Sequence, residues 1–325
     1  MTDQPNRLRP PAAELSEPAP ALAVWPTGQR TPYAQLVEGG YLLPDTARDP
    51  AAIPPDIAAH AITTYTRPGG GVLDPDCGAG AVLVEAARTG RAAVGLTGSR
   101  HWHQLATANL AATGTTATVI HTTGHRSDPG VPAGPGVDLV LTAARSRLDQ
   151  ADRHRGSGPS PDPDQLAESM SGLRAVLARC RPLLHPGSRV LVVCRTRRPD
   201  GYLLDLPTAA LAAGRSAGLV PVDRCIALLA PITGDRLAPR ASLAHRRAVA
   251  RHQRVTGHPI TLTAHLTVLV FALPPASVGQ AGAAPAITSA AGPRRCEPRP
   301  HPDQARRGPV GGSAGHEHRE RRRAA

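Results

Sequence analysis

Asp74, Gly78 and Gly80 are the residues whose types and spacing best suit ligand chemistry in this chain. Residues 72–87 read Val-Leu-Asp-Pro-Asp-Cys-Gly-Ala-Gly-Ala-Val-Leu-Val-Glu-Ala-Ala. This predicts a short apolar strand, a turn holding those three residues, and a helix starting near Ala79. Glycines in such a turn supply the dihedrals of a sharp bend and let the backbone approach a ligand closely. An acid at the carboxyl end of the strand can meet a cationic group on that ligand. The stretch falls early in a strand–helix alternation, where the first strand of an open α/β sheet forms its ligand crevice. It points to a cofactor site.

Other constellations offer less chemistry. Cys77 lies beside the turn, but no positioned base accompanies it as nucleophilic catalysis requires. The five cysteines, Cys77, Cys180, Cys194, Cys225 and Cys296, show no paired metal-ligand spacing, so no metal is expected. His101-Trp102-His103 are adjacent, and neighbours on a helix diverge by about 100°. That pattern suits Trp102 packing onto a sheet between exposed histidines. No nucleophile elbow occurs, so hydrolase chemistry has no support.

The elements that must position Asp74 alternate regularly. Helices are expected over 57–65, 101–112, 165–180 and 208–217. Strands are expected over 71–74, 92–96, 117–121, 137–142 and 189–194, with closing strands at 219–229 and 266–272. A basic helix over 241–254 separates the last two. Short continuous apolar strands between helices indicate a mostly parallel sheet covered on both faces, here seven-stranded and in one domain. Residues 1–20, rich in Pro and Ala, and 274–325, rich in Gly, Ala, Pro and Arg, are expected to be disordered ends around a domain over 21–273.

Composition sets broad limits. The 325 residues are 41% hydrophobic but only 2% aromatic, so the core must be built from Ala, Val and Leu. The net charge of +12 comes entirely from arginine, since the chain has no lysine. Such a balance either attracts nucleic acid or reflects composition drift toward Ala, Arg, Gly and Pro. The same two readings apply to the basic tail, as a nucleic-acid arm or a solvated extension, and to Arg240–Arg254, as a phosphate-tracking surface or a solvated helix. No run approaches the ~20 apolar residues of a membrane span and no signal peptide is evident. A cytoplasmic protein with reduced cysteines is expected.

A dinucleotide site wants a third glycine and an acid about 20 residues on. Here the third position is Leu83, and the second strand ends Gly95-Leu96-Thr97-Gly98 without an acid. By contrast Leu73-Asp-Pro-x-Cys-Gly-x-Gly80, then Glu85-Ala-Ala, Gly90-Arg-x-Ala-Val-Gly95, Leu105-Ala-x-Ala-Asn109-Leu and Asp138-Leu-Val-Leu-Thr142 resemble the S-adenosylmethionine-dependent amino-methyltransferases of DNA (N4-cytosine and N6-adenine methylases). They also resemble the related tRNA guanosine N2-methyltransferases. The resemblance runs from about Trp25 to Leu273 and implies the class I methyltransferase, Rossmann-like fold.

What the resemblance implies for the site is specific. Asp74, with Pro75 and Cys77 around it, would face the methionine ammonium of S-adenosylmethionine, and the Gly78–Gly80 backbone would lie beneath the cofactor. The family's ribose-binding acid is replaced by Thr97, and its adenine-reading residue by Thr123. Its catalytic run of a polar residue, two prolines and an aromatic becomes Thr142-Ala143-Ala144-Arg145. Either Thr142 takes the polar position or Ala143 does. Arg145 could stack on a base through its guanidinium plane. Two functions follow: methyl transfer to an exocyclic amino group of DNA or RNA, or a non-catalytic nucleic-acid-binding or regulatory module on the same fold.

Overall fold

The computed structural model describes residues 21–40, 44–49, 52–122, 136–144, 163–198, 203–238, 240–241, 243–259 and 261–275. The expected ends, 1–20 and, apart from Pro274 and Pro275, 274–325, and the two expected site residues Thr123 and Arg145 lie outside the described residues.

The chain begins with β1 (Val24–Trp25), α1 (Pro32–Glu38), a 3-10 turn (Pro44–Arg48) and α2 (Pro55–Tyr65). Then follow β2 (Gly71–Asp74), α3 (Ala81–Arg88), β3 (Ala92–Thr97), α4 (Arg100–Ala112), β4 (Thr118–His121) and β5 (Val137–Ala143). The second half has α5 (Pro163–Cys180), β6 (Leu184–Cys194), α6 (Leu206–Ser216) and β7 (Val220–Leu228). A small hairpin, β8 (Ile232–Thr233) and β9 (Arg236–Leu237), leads to α7 (Leu243–Thr256) and β10 (His265–Ala272).

One sheet takes the order β1-β7-β10-β6-β5-β2-β3-β4. Every pairing is parallel except those of β10, which runs antiparallel between β6 and β7. This is the expected class I methyltransferase-type architecture, with eight strands rather than seven. The extra strand is β1, whose Val24 and Trp25 pair with Ile226 and Ala227. A two-residue strand before a proline gives no alternation to read; its anchor is tertiary, since Trp25 is 1% exposed and stacks on His60 at 4.7 Å.

Both faces are buried. On one, α2, α3 and α4 bring Ile57, Ile62, Leu83 and Leu110 against Val72, Leu139 and Leu141. On the other, α5 and α6 bring Leu177, Leu206 and Ala210 against Leu73, Val140 and Phe271. Val72 and Leu73 thus serve opposite cores, which is why parallel strands read as continuous apolar runs. Among the described residues, Trp25 and Phe271 alone supply large, fully buried aromatic rings. The Ala-rich helices let layers approach closely: a Cβ on Gly214 of α6 would fall 2.3 Å from the Phe271 ring.

Caps agree with local sequence. Ser99 Oγ accepts the Trp102 N–H at the start of α4, and Asp205 accepts the Thr208 N–H at the start of α6. Each such cap stabilises its helix by about 1 kcal/mol.

Candidate functional site

The sheet order reverses between β2 and β5: the chain runs outward through β3 and β4 on one side, then returns to β5 and β6 on the other. Ligands of open α/β sheets bind outside the carboxyl ends of the strands at such a switch point. Here those ends are Asp74 and Ala143. Between them opens a shallow cleft lined by Asp49, Ile53, Asp74, Asp76, Cys77 and Ala143 among others.

The turn after β2 is held from several directions. Asp74 is 4% exposed, and its Oδ1 accepts the Asp76 N–H at 3.1 Å. The Cys77 N–H donates to Leu96 of β3 at 2.9 Å, and the Gly80 N–H to the Cys77 carbonyl at 2.8 Å. Gly80 has φ +83°, left-handed backbone that favours glycine, and a Cβ there would meet Ala106 of α4 at 3.0 Å. This left-handed step delays the helix to Ala81, two residues past the expected start. Gly95 of β3 is equally constrained, since a Cβ would fall 2.9 Å from Cys77 Sγ and 2.5 Å from Leu83 Cδ1. Cys77 therefore packs the turn against β3. Its thiol is buried.

The residues that clamp this turn escaped sequence reasoning. The Ala79 N–H donates to Asp49 Oδ2 at 3.1 Å, while the Ala79 carbonyl accepts from Asn109 Nδ2 at 2.9 Å. Asn109, wholly buried in α4, also donates to Thr46 Oγ1 at 2.9 Å. The peptide at Ala79 is thus gripped on both sides, which fixes the backbone that would face a ligand. One signal was available: an asparagine in an apolar helix stripe needs buried partners. Asp49 offered none, because its partner lies 30 residues away.

Arg195, just past β6, donates to the Ala52 carbonyl. Burial pushes its guanidinium pKa down, and Asp49 opposes that shift. Asp49 and Ala52 are thereby each tied beside the strand end that carries Asp74.

The remaining expected site residues divide. Pro75 is half-buried within the turn, while Gly78 and Gly80 are buried. On β5, Leu141 and Ala143 serve the α2–α4 face, whereas Val140 and Ala144 serve the α5–α6 face. Strand alternation thus gives the cleft to Ala143 and turns Thr142, 3% exposed, away from it. Of the two residues considered for the polar position, Ala143 lines the cleft and Thr142 does not. Ala144 is buried, its N–H bonded to the Val193 carbonyl at 2.9 Å. Thr97 ends β3, 3% exposed, and its Oγ1 accepts the Ser99 N–H at 3.2 Å. It does not line the cleft.

Other chemistry is not assembled nearby. Burial pushes the Cys180 and Cys194 thiols up to about 12, far from a reactive thiolate. Among the described residues no group of three or more His, Cys, Asp or Glu is placed to hold a metal ion. Trp102 is only half-buried, its ring edge-on to His101 at 4.8 Å rather than packed in the core, and His103 lies half-buried with its ring 6.1 Å from that of His121. Among the described residues no helix is long and apolar enough to cross a membrane.

Solved structures with a similar fold include a TehB-like SAM-dependent methyltransferase from Corynebacterium glutamicum, at 14% identity over 67% of this chain and 87% of that one, with a TM-score of 0.36. TrmN from Thermus thermophilus aligns at 18% identity over 72% of this chain, with a TM-score of 0.41, and this chain spans about half of its length (53%). A methyltransferase from Pyrococcus furiosus aligns at 12% identity over 74% of this chain and 96% of that one, with a TM-score of 0.44. No family model matches the chain, and no curated protein matches it. The likeness is one of fold. The class I methyltransferase fold stands on the strand order and the two helical layers described above.

Proposed function

We propose that this protein binds S-adenosylmethionine in the β2/β5 crevice and transfers its methyl group to an exocyclic amino group of a DNA or RNA base. The observation that carries this reading is the buried Asp74 carboxylate at the switch point, in a cleft also lined by Asp49 and Asp76. Asp74 and Asp76 give the cleft an acidic side suited to a ligand's ammonium group, while Asp49 is engaged by the Ala79 N–H and faces Arg195. The cofactor, when bound, supplies an electrophilic methyl group. Asp74 would hold the ammonium, and the clamped Gly78–Gly80 backbone would form the floor. Thr97 stands where the family's ribose-binding acid would be, with its hydroxyl committed to Ser99, so that end of the site is weakly held. Thr123 and Arg145 belong to the same reading as the adenine and base contacts, as do the domain limits 21–273.

Ala143 favours a second reading. At the position where the family's polar side chain accepts hydrogens from the target amino group, this chain presents a methyl group to the cleft. Without an acceptor there, the protein would bind cofactor and nucleic acid but transfer little or nothing, acting as a regulatory module.

Titration calorimetry with S-adenosylmethionine and its demethylated product tests the shared part: both readings expect heat that saturates, and none at millimolar ligand overturns them. Tritium transfer from labelled cofactor to mixed DNA and RNA then separates them. Labelled nucleic acid supports the enzyme, and binding without label supports the module.

A further inference from the structure

The crevice is not the only feature at its edge of the sheet. Leu228, the last residue of β7, pairs with His265, the first of β10. The whole excursion between them, residues 229–264, therefore leaves and returns at the edge where β5 and β6 end beside the cleft. Its base is closed by the Leu229 N–H on the Ala264 carbonyl at 2.8 Å. Its flanks are tied to the body: Arg240 donates to the Gln29 carbonyl at 2.6 Å, and Arg198 donates to Thr263 Oγ1 at 3.2 Å and Thr261 Oγ1 at 3.1 Å. A Cβ on Gly28 would fall 2.5 Å from the Ala230 backbone, so the loop after β1 braces this base too.

The charge of the excursion is one-sided. It carries Arg236, Arg240, Arg246, Arg247, Arg251 and Arg254 against a single acid, Asp235, which lies 3.6 Å from Arg236. Arg246, Arg247, Arg251 and Arg254 are exposed on α7. Arg247, Arg251 and Arg254 follow i, i+4, i+7 spacing and share one face, a stripe roughly 10 Å long at ~1.5 Å per residue. Along a nucleic-acid strand, with one phosphate per ~3.4 Å of axis, that stripe matches about three phosphates. Between β10 and β2 lie β6 and β5, which sets the root of the excursion roughly 14 Å from Asp74 at ~4.8 Å per strand. The anionic crevice and the root of the cationic excursion thus share one edge of the sheet.

We propose that the excursion 229–264, through the arginine stripe of α7, is the docking platform that holds the phosphate backbone of a nucleic-acid strand beside the crevice. The inference rests on the nucleic-acid substrate of the reading above. Charge complementarity names the occupant. An anionic membrane surface suits the charge less well, because membrane-surface helices carry Trp, Phe or Leu along their other face. Here the exposed large apolar residues of α7, Leu243 and Val255, sit at its two ends.

The test is fluorescence anisotropy with labelled duplex DNA and a labelled RNA stem-loop, from 50 to 200 mM salt. It uses the full chain, the R246Q/R247Q/R251Q/R254Q variant and the matching four-lysine variant. The glutamine variant should lose about tenfold or more in affinity, with a salt slope shallower by two to three, at about 0.9 per released phosphate contact. The lysine variant, which keeps the charge, should stay within about threefold of the parent and shows that helix composition alone is tolerated. An unchanged affinity and slope in the glutamine variant overturns the platform. So does a parent chain that binds phosphatidylserine vesicles but neither nucleic acid. Calorimetry with S-adenosylmethionine on the same variants keeps the two proposals apart. Uptake of cofactor without nucleic acid removes the platform alone, while nucleic-acid binding without cofactor removes the crevice reading alone.

Discussion

The crevice beside Asp74 and the excursion that carries α7 rise from the same edge of one sheet, yet they are built in opposite ways. The crevice floor is buried, clamped at Ala79 from both sides, and lined by carboxylates. The excursion is tied at its base and flanks and exposes a row of arginines along a helix with few buried side chains. The contrast teaches a division of labour. A small cationic ligand needs fixed geometry in a desolvated site, where each charge-assisted hydrogen bond is strong. A polyanionic strand needs only many charges at the right spacing in water.

The sharpest way to break the comparison is at Asp74. Asp74→Ala removes a buried carboxylate that would meet an ammonium, an interaction of about 1.5–3 kcal/mol. S-adenosylmethionine affinity should fall by about 10- to 150-fold in calorimetry, with nucleic-acid affinity unchanged. An unaltered cofactor affinity would move the ligand elsewhere.

Next comes the contrast in packing. Gly95→Ala drives a methyl group into Cys77 and Leu83 beneath the turn, and overpacking of this kind costs about 1–3 kcal/mol. Leu243→Gln on α7, where the side chain is 63% exposed, should change stability by less than about 0.5 kcal/mol. Denaturant midpoints of the two variants compare them, and equal effects would mean the floor yields as easily as the excursion.

A gain should be available where the site is weak. Thr97→Asp introduces a carboxylate at the end of β3, and under the proposed reading, in which the ribose lies beyond the cleft there, it should raise cofactor affinity by about tenfold, the effect of one charged hydrogen bond net of local rearrangement. A weaker or unchanged affinity would detach Thr97 from the cofactor.

The smallest effect concerns the support of the excursion. His60 stacks on Trp25 of β1, and burial lowers its pKa below 6.5. The unfolded chain then takes up a proton that the folded chain resists, so this contribution to stability is lost as pH falls below about 6.5. Thermal melts from pH 7.5 to 5.5 should show a steeper decline in the parent than in a His60→Gln variant.

How much of this was legible in the sequence depended on the range of the interaction. The bounds of β2 and the approximate positions of five other strands and the helices between them follow from their largely apolar runs, most clearly in β2, which is buried throughout. β6 was read as starting at Arg189 but begins at Leu184. His185-Pro186-Gly187 resembles a turn, and only pairing of Leu184 with Val137 across a register shift makes it strand. α1, the 3-10 turn and the hairpin of β8 and β9 left no periodic signal in segments this short. In the site, Asp74 and the glycines were legible because their roles are local to one turn. Asp49 and the side-chain grip of Asn109 were not, since both act on a peptide 30 residues distant.

By itself, the sequence determined that a strand ending in Asp74 would be followed by a glycine turn and an apolar helix, in a doubly covered α/β sheet. Composition, periodicity and turn chemistry act over a few residues and need no partner. Only the tertiary structure decided that Ala143 and not Thr142 faces the cleft, because strand register is set by the neighbours of β5. Only it added β1 as an eighth strand, through the burial of Trp25. And only the antiparallel insertion of β10 set the root of the excursion that carries α7 at the edge that Asp74 occupies, since which end of a sheet an excursion leaves from depends on strand direction and pairing.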